Sequence, residues 1–362
     1  MKTMTRHYII PIFVPHYGCP NDCVFCNQRK ITGLSTNLTT HDAEKTILEH
    51  LKTFKDDSFI EIAFYGGSFT AIDLEIQRKL LSVAYQYKKF GKVDEIRLST
   101  RPDAIDEEIL RLLKAFKVDT IELGVQSLDD EVLQLSDRGH KSLQVYQAVN
   151  LIKNFNFKLG LQMMLGLPGD TKEKSISTAK KFIELRPDCV RIYPTLVIKN
   201  TNLENDYLNG LYRPLSLDGA VELSTILLIM FKLSQINVIR LGLQPTENIQ
   251  LGRDVVAGPF HPSFRQLVDS NILKSILVRS LDGANLPLDG KDLTIKSNSK
   301  NISNLAGQKS SNKNHLIDKY GLKKVRIFSS DLDETYIDLS IDEYKERIDI
   351  WKAMELLLDT IY

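Results

Sequence analysis

From residue 8 to residue 194 the chain alternates short runs rich in β-branched and aromatic residues with longer segments of helical period. The strand-like runs are Tyr8–Val14, Phe59–Tyr65, Glu95–Ser99, Thr120–Val125, Lys158–Leu165 and Cys189–Tyr193. Between them lie Asp42–Phe54, Glu75–Phe90, Asp106–Phe116, Leu143–Phe155 and Thr171–Leu185. Strands that alternate with helices of roughly ten to fifteen residues form βαβ units and a parallel sheet. Six such units predict an α/β fold, a partial (β/α)6 barrel of the TIM type, with an open doubly wound sheet as the alternative. Asp170, with Glu173 three residues on, is expected to cap the fifth helix.

The segments at the strand ends are unusually rich in glycine, hydroxyl and arginine. Pro15-His16-Tyr17-Gly18 and a cysteine cluster come after the first strand. Gly66-Gly67-Ser68-Phe69, Thr100-Arg101-Pro102-Asp103, Gln126-Ser127, Gly166-Leu167-Pro168-Gly169 and Pro194-Thr195 come after the others. In a parallel barrel all of these segments gather on the rim at the carboxyl ends of the strands, where such folds build active sites.

Charge and hydropathy exclude several classes. Lys plus Arg (47) nearly cancels Asp plus Glu (46), so no protein-wide field draws the chain to nucleic acid and any basic patch is local. The longest purely apolar run, Ile226–Phe231, is far short of the roughly 20 residues that cross a bilayer, and no membrane role is expected. Residues 1–15 lack the apolar core and cleavage site of a secretory signal, so a cytoplasmic protein is expected.

Of the four cysteines, Cys19, Cys23 and Cys26 lie within eight residues, whereas Cys189 stands alone. Clustered cysteines in a reducing compartment point to metal or redox chemistry rather than a disulfide framework. Thiolates suit zinc or an iron–sulfur cluster. A structural zinc site needs a fourth ligand, which His16 could supply. A cubane cluster held by three cysteines instead leaves one iron open. Cys189, at the far end of its strand, is expected to be a small core residue.

The loop Cys19-Pro20-Asn21-Asp22-Cys23-Val24-Phe25-Cys26 resembles the C-x3-C-x-φ-C motif of the radical S-adenosylmethionine (SAM) superfamily. The resemblance implies a radical SAM barrel in which Cys19, Cys23 and Cys26 hold a [4Fe–4S] cluster whose open iron is chelated by SAM. It also implies reductive cleavage of SAM to methionine and a 5′-deoxyadenosyl radical, with the electron coming from a donor protein. Gly66, Gly67 and Ser68 look like that superfamily's GGxx turn, whose backbone meets the methionine amino group. Glycine suits such a place because it lets a ligand approach the main chain.

Within the superfamily the strand ends resemble the radical SAM core of the Elongator catalytic subunit, a tRNA-modifying enzyme. The matching stretches are Phe64–Ala71, Ser99–Asp103, Glu122–Ser127 with Arg138-Gly139-His140, Met164–Gly169 and Arg191–Ile198. By that resemblance Ser99, Arg101, Gln126 and Arg138 contact SAM's ribose and carboxylate, and Phe25, Leu165 and Gly166 flank its adenine. The resemblance is closer to the shorter bacterial form that keeps the barrel without an acetyltransferase domain.

The remaining chain reads as a helix over residues 215–233, a strand at Val238–Leu243 and a helix at Phe264–Ser280, after which composition changes. Residues 291–326 carry nine Lys or Arg against two Asp, whereas 331–362 carry ten acidic residues against three basic ones. The order strand Leu293–Ser297, helix Ser299–Leu305, loop Gly307–Ser310, helix Asn312–Tyr320, strands Lys324–Ser329 and Thr335–Leu339, and a helix over Asp342–Ile361 resembles a KH RNA-binding module. Such a module clamps a nucleotide backbone with a G-x-x-G loop. Gly307 opens the corresponding loop, and Ser310 stands in place of its second glycine. The resemblance makes Gly307, Lys309 and Lys313 candidate RNA contacts, with RNA (tRNA) held through residues 291–326. The alternative is a Lys/Asn/Ser-rich linker over Ser297–Asn314.

The expected organisation is a radical SAM barrel with its extension over residues 1–285 and a small α+β, KH-like C-terminal module over 286–362. The expected function is a radical SAM enzyme acting on RNA. A coproporphyrinogen-oxidase-like enzyme for a small molecule and a non-catalytic, zinc-stabilised RNA-binding protein are the alternatives.

Overall fold

The computed structural model describes residues 6–14, 23–27, 38–55, 57–245 and 249–359. Contacts divide the chain into two compact units, residues 1–215 with 243–260, and residues 216–242 with 261–362. The position 285/286 lies inside the second unit.

In the first unit six strands run in chain order through a seven-stranded sheet: β1 (His7–Val14), β2 (Phe59–Gly66), β3 (Glu95–Thr100), β4 (Thr120–Gln126), β5 (Lys158–Leu165) and β6 (Cys189–Pro194). Each adjacent pair is parallel, with Val14 opposite Gly66, Leu98 opposite Ile121 and Leu165 opposite Pro194. Chain-order neighbours joined by helical crossovers make the half-barrel that the sequence predicts. Phe64, Leu98, Leu123, Leu161 and Ile192 alternate along the strands as a fully buried layer.

Side chains cap the helices that follow the strands. Asp73 caps Leu74–Lys89, Asp106 caps Glu107–Ala115 and Asp129 caps Asp130–Leu135. Thr39 and Asp42 form a reciprocal capping box at Thr40–Leu51. One expected cap is corrected. Thr171, not Asp170, caps Lys172–Glu184, accepting from the Lys174 amide at 3.3 Å. Asp170 instead turns back to accept from the Gly166 amide at 2.8 Å and from Ser175 Oγ at 2.7 Å. The expected helix at Leu143–Phe155 runs Ser142–Asn154.

Three further strands come later in the chain: β7 (Val197–Ile198), β8 (Asn237–Leu241) and β9 (Val255–Ala257). β7 and β9 pair antiparallel within the first unit.

The second unit carries helices Leu217–Leu233 and Phe264–Ala284 and a four-stranded sheet of β10 (Asp292–Ser297), β11 (Lys324–Ser329), β12 (Tyr336–Ile341) and β13 (Tyr344–Asp349), in the order β11-β10-β12-β13. Residues 297–314 are not a linker. They form the helices Ile302–Ala306 and the start of Ser311–Tyr320, and Asn312 Nδ2 donates to the carbonyls of Ser270 and Asn304, both at 2.9 Å. The expected helix over Asp342–Ile361 is also corrected: β13 occupies its first part, and the helix is Ile350–Asp359. Tyr344 and Ile348 suit a helical spacing of four and a strand spacing of two equally. Asp342, at φ 49°, makes the tight turn that pairs Ile341 with Tyr344.

Among the described residues no helix is long and apolar enough to cross a membrane.

Candidate active site

The carboxyl ends of β2 to β5, the segment Cys23–Asn27 and the turn at Arg138 carry the cofactor-site residues singled out by sequence. Cys23 is buried and Cys26 half-buried, and neither is in a disulfide. Cys19 and His16 lie outside the described residues. The Cys26 amide donates to the Cys23 carbonyl at 2.9 Å, closing a turn between the two thiols. Three tethers fix that turn. Val24 N donates to the Ser136 carbonyl (3.2 Å), Leu203 N donates to the Val24 carbonyl (2.7 Å), and Asn27 Nδ2 donates to the carbonyls of Lys199 and Asn200 (both 3.2 Å). Phe25 packs against the buried cluster of Val24, Val197, Leu203 and Tyr212.

Arg138 meets this turn from the far side. Its Nη1 donates to Cys23 Sγ at 3.3 Å and its Nη2 to the Gly124 carbonyl at 2.5 Å. Gly124 is needed here, because a Cβ would stand 2.9 Å from Arg138 Nη2. Arg101 braces Arg138, donating from Nη2 to its carbonyl at 2.7 Å, and is itself held by Asp103 through two 2.9 Å hydrogen bonds. His140, buried beside them, is pushed down to about 3 by burial and by the Arg138 charge, so it stays neutral. At the end of β4 the sheet bulges between Gly124 and Gln126, and Gln126 takes φ 70°. Its side-chain carbonyl is buried and has no donor among the described residues.

On the neighbouring strands Gly66, at φ 100°, ends β2, and the Gly67 amide donates to the Val14 carbonyl at 3.0 Å. Ser68 is committed internally: its hydroxyl lies 2.8 Å from Thr100 Oγ1 and accepts from the Arg101 amide at 3.0 Å. Ser99 points along the sheet to Gln162, whose Nε2 is 3.4 Å away. Leu165 is fully buried. Gly166, at φ 72°, has no room for a Cβ, which would lie 2.8 Å from Leu215 Cγ, and its carbonyl accepts from Tyr212 OH at 2.5 Å. Phe25, Gly66, Gly67, Ser68, Arg101, Gln126, Leu165 and Gly166 therefore all lie at strand ends or on the tethered turn, and Arg138 reaches them from the turn after the helix Asp130–Leu135. Lys309, Lys313 and Gly307 belong to the second unit.

A set of charged residues inside the half-barrel escaped the sequence reading. Arg97 Nε meets Glu61 at 2.8 Å and its Nη1 meets Glu122 at 2.6 Å. Arg191 also pairs with Glu122, and its Nη2 donates to Tyr65 OH at 2.8 Å. Glu61, Arg97, Glu122 and Arg191 sit at alternating strand positions, and that alternation of charge with apolar residues was the available signal. Cys189 belongs to this set, with Sγ 3.7 Å from Arg97 Nη1.

Residues 13–182 match the family model of the radical SAM superfamily, and residues 187–274 match that of the radical SAM C-terminal domain. The chain belongs to the radical SAM superfamily. Membership makes it an enzyme whose cofactors are a [4Fe–4S] cluster and SAM. This radical SAM chain is 26% identical over 247 residues to a tRNA uridine(34) acetyltransferase of Dehalococcoides mccartyi (strain CBDB1), covering 59% of this chain and 54% of that one. It is 32% identical over 184 residues to human Elongator complex protein 3, covering 45% and 34% respectively. The chain thus spans about half the length of the first relative and about a third of the second. The structure of archaeal Elp3 from Methanocaldococcus infernus, lacking its N-terminal residues 1–46, shares the fold. Its TM-score is 0.59 at 18% identity, over 97% of this chain and 76% of that one.

The residues at the rim suit the radical SAM cofactors. Thiols are the usual ligands of an iron–sulfur cluster, and a guanidinium already faces one of them. The buried, unpartnered Gln126 carbonyl is a group that a bound ligand would satisfy.

Proposed function

We propose that the chain is a radical SAM enzyme that modifies RNA, with tRNA as its substrate. The observation that carries this reading is the similarity to a tRNA uridine(34) acetyltransferase over 59% of the chain. When bound, the cluster and SAM supply reductive cleavage of the SAM sulfonium.

In this proposal Cys23 and Cys26, with Cys19, hold the iron. The backbone at Gly66 and Gly67 admits the methionine end of SAM, since neither residue presents a side chain. Gln126 and Arg138 orient its polar groups, with Ser99 and Arg101 nearby. Phe25, Leu165 and Gly166 give the adenine an apolar shelf that excludes water. Ser68 acts indirectly, by fixing Thr100 and the Arg101 amide.

We assign residues 286–362 as a KH-like module that brings the RNA. Four of the nine cations of segment 291–326 are already paired: Lys291 with Asp342, Lys300 with Glu334, Lys319 with Asp282 and Arg326 with Asp292. Lys309 and Lys313 stand outside those pairs, on a loop and helix start where Gly307, Lys309 and Ser310 all take positive φ.

The test is anaerobic reconstitution followed by dithionite, SAM and bulk tRNA. The expected result is tRNA-dependent 5′-deoxyadenosine and a new modified nucleoside in the digested tRNA. A yield of 5′-deoxyadenosine indifferent to tRNA, with no nucleoside changed, would refute the RNA substrate and leave the family assignment standing.

A further inference from the structure

We propose that Arg138 is a positioning residue for the cluster, setting its reduction potential by a charge-assisted N–H···S hydrogen bond to Cys23. The geometry is built rather than incidental. Arg138 Nη1 lies 3.3 Å from Cys23 Sγ, and both side chains are buried. Several supports hold the guanidinium there. Nη2 is fixed on the Gly124 carbonyl, and Gly124 has no Cβ to displace it. The Arg138 carbonyl receives Arg101, which donates from Nε and Nη2 to the two carboxylate oxygens of Asp103. Val24 is tied to Ser136, so the cysteine turn and the Arg138 turn are joined twice. His140, an ionisable neighbour, is held neutral by burial and by Arg138 itself. The Arg138 guanidinium thus brings a positive charge to this thiol.

Potentials of iron–sulfur clusters follow net charge, hydrogen bonds to sulfur and exposure to solvent. A one-electron reduction makes the cluster more negative, so a cation donating to a ligand sulfur stabilises the reduced form more than the oxidised one. Burial amplifies the difference, because water does not screen it. Arg138 should therefore raise the potential and ease electron entry. This action is distinct from contacting SAM, and it is read before SAM is added. It rests on Cys23 being an iron ligand and is independent of the RNA substrate.

The experiment compares reconstituted wild type, Arg138→Met, Arg138→Lys and Gly124→Ala without SAM, measuring cluster reduction against applied potential in the presence of mediators. Arg138→Met should lower the midpoint, with the reduced-to-oxidised ratio at the wild-type midpoint falling about tenfold. Arg138→Lys should fall between, and Gly124→Ala, which dislodges the guanidinium but keeps its charge, should shift in the same direction. Unchanged midpoints in variants with full iron content would overturn the inference. If the Arg138 variants lose the cluster, Gly124→Ala decides by the same reading. Full iron in Cys23→Ser would overturn the inference by a separate route, through the ligand itself.

Discussion

Arg191 grips Glu122 with two nitrogens, Nε 2.5 Å from Oε2 and Nη2 3.0 Å from Oε1, inside the half-barrel. Arg97 reaches the same carboxylate at 2.6 Å, and Gln162 Nε2 donates to it at 3.0 Å. Burial pushes the Glu122 carboxyl up, but Arg191 and Arg97 together outweigh burial and hold it below the ordinary carboxylate range. Two arginines thus depend on one buried anion, with Glu61 completing the charge balance through Arg97.

Removing that anion should be costly. Glu122→Gln leaves two buried guanidinium groups facing one remaining carboxylate, and breaking a buried pair on one side costs about 3–5 kcal/mol. Denaturant unfolding of wild type and variant should show a lower midpoint. A loss below about 1 kcal/mol would mean that water or rearrangement compensates the pair.

Acid should weaken the fold in two stages. The folded pKa of His140 is depressed to about 3, by burial first and Arg138 second. The unfolded chain therefore takes up this proton near its ordinary pKa of about 6.5, while the folded chain refuses it. The contribution is fully present above about 6.5 and is lost as pH falls towards 3. Glu122 is also depressed, so its contribution fades only below about 4.3. Unfolding free energy measured from about pH 7 to about pH 4.5 should decline in wild type and decline less in His140→Phe. Equal slopes would show that His140 is not the group responsible.

The strand–helix alternation made the first unit legible because apolar period and turn chemistry agree there. Five of the six strands differ from expectation by one residue at one end, and the sixth, Lys158–Leu165, coincides. The cysteine motif was legible because its spacing is local. The Arg97, Glu122 and Arg191 network was not, since its members lie 25 and 69 residues apart and meet only after the sheet forms. Ser68 shows the same limit. Its position in the motif is plain from sequence, yet its hydroxyl turns to Thr100, 32 residues away. In the tail, Tyr344 and Ile348 fit both periods, and only the tight turn at Asp342 selects a strand.

Cys189 should prove dispensable for the cluster. Burial pushes its thiol up to about 11, and its sulfur faces Arg97 within the charged network, at the start of β6 and away from the rim. Cys189→Ala should retain iron content and SAM cleavage. In the folded wild type the thiol should resist alkylation at about pH 8, where little of it is thiolate. Loss of iron from a folded Cys189→Ala protein would place this residue at the cluster instead.

Lys309 and Lys313 should carry RNA affinity without touching SAM chemistry. They lie in the second unit, on the exposed loop and the adjoining helix, whereas the tethered cysteine turn lies in the first. The Gly307 backbone takes φ 73°, and a Cβ there would stand 2.5 Å from Ser311 Oγ, so the loop shape depends on glycine. Phosphates held by lysine charge release counterions, so affinity for bulk tRNA should fall steeply with salt. Replacing both lysines with glutamate should weaken binding and flatten that dependence by roughly one to two phosphate contacts. Substrate-free SAM cleavage should persist. Gly307→Ala should weaken binding through the loop's shape, with its salt slope closer to wild type. Filter binding across a salt series provides the comparison, and wild-type affinity in the double glutamate variant would remove this loop from the RNA path.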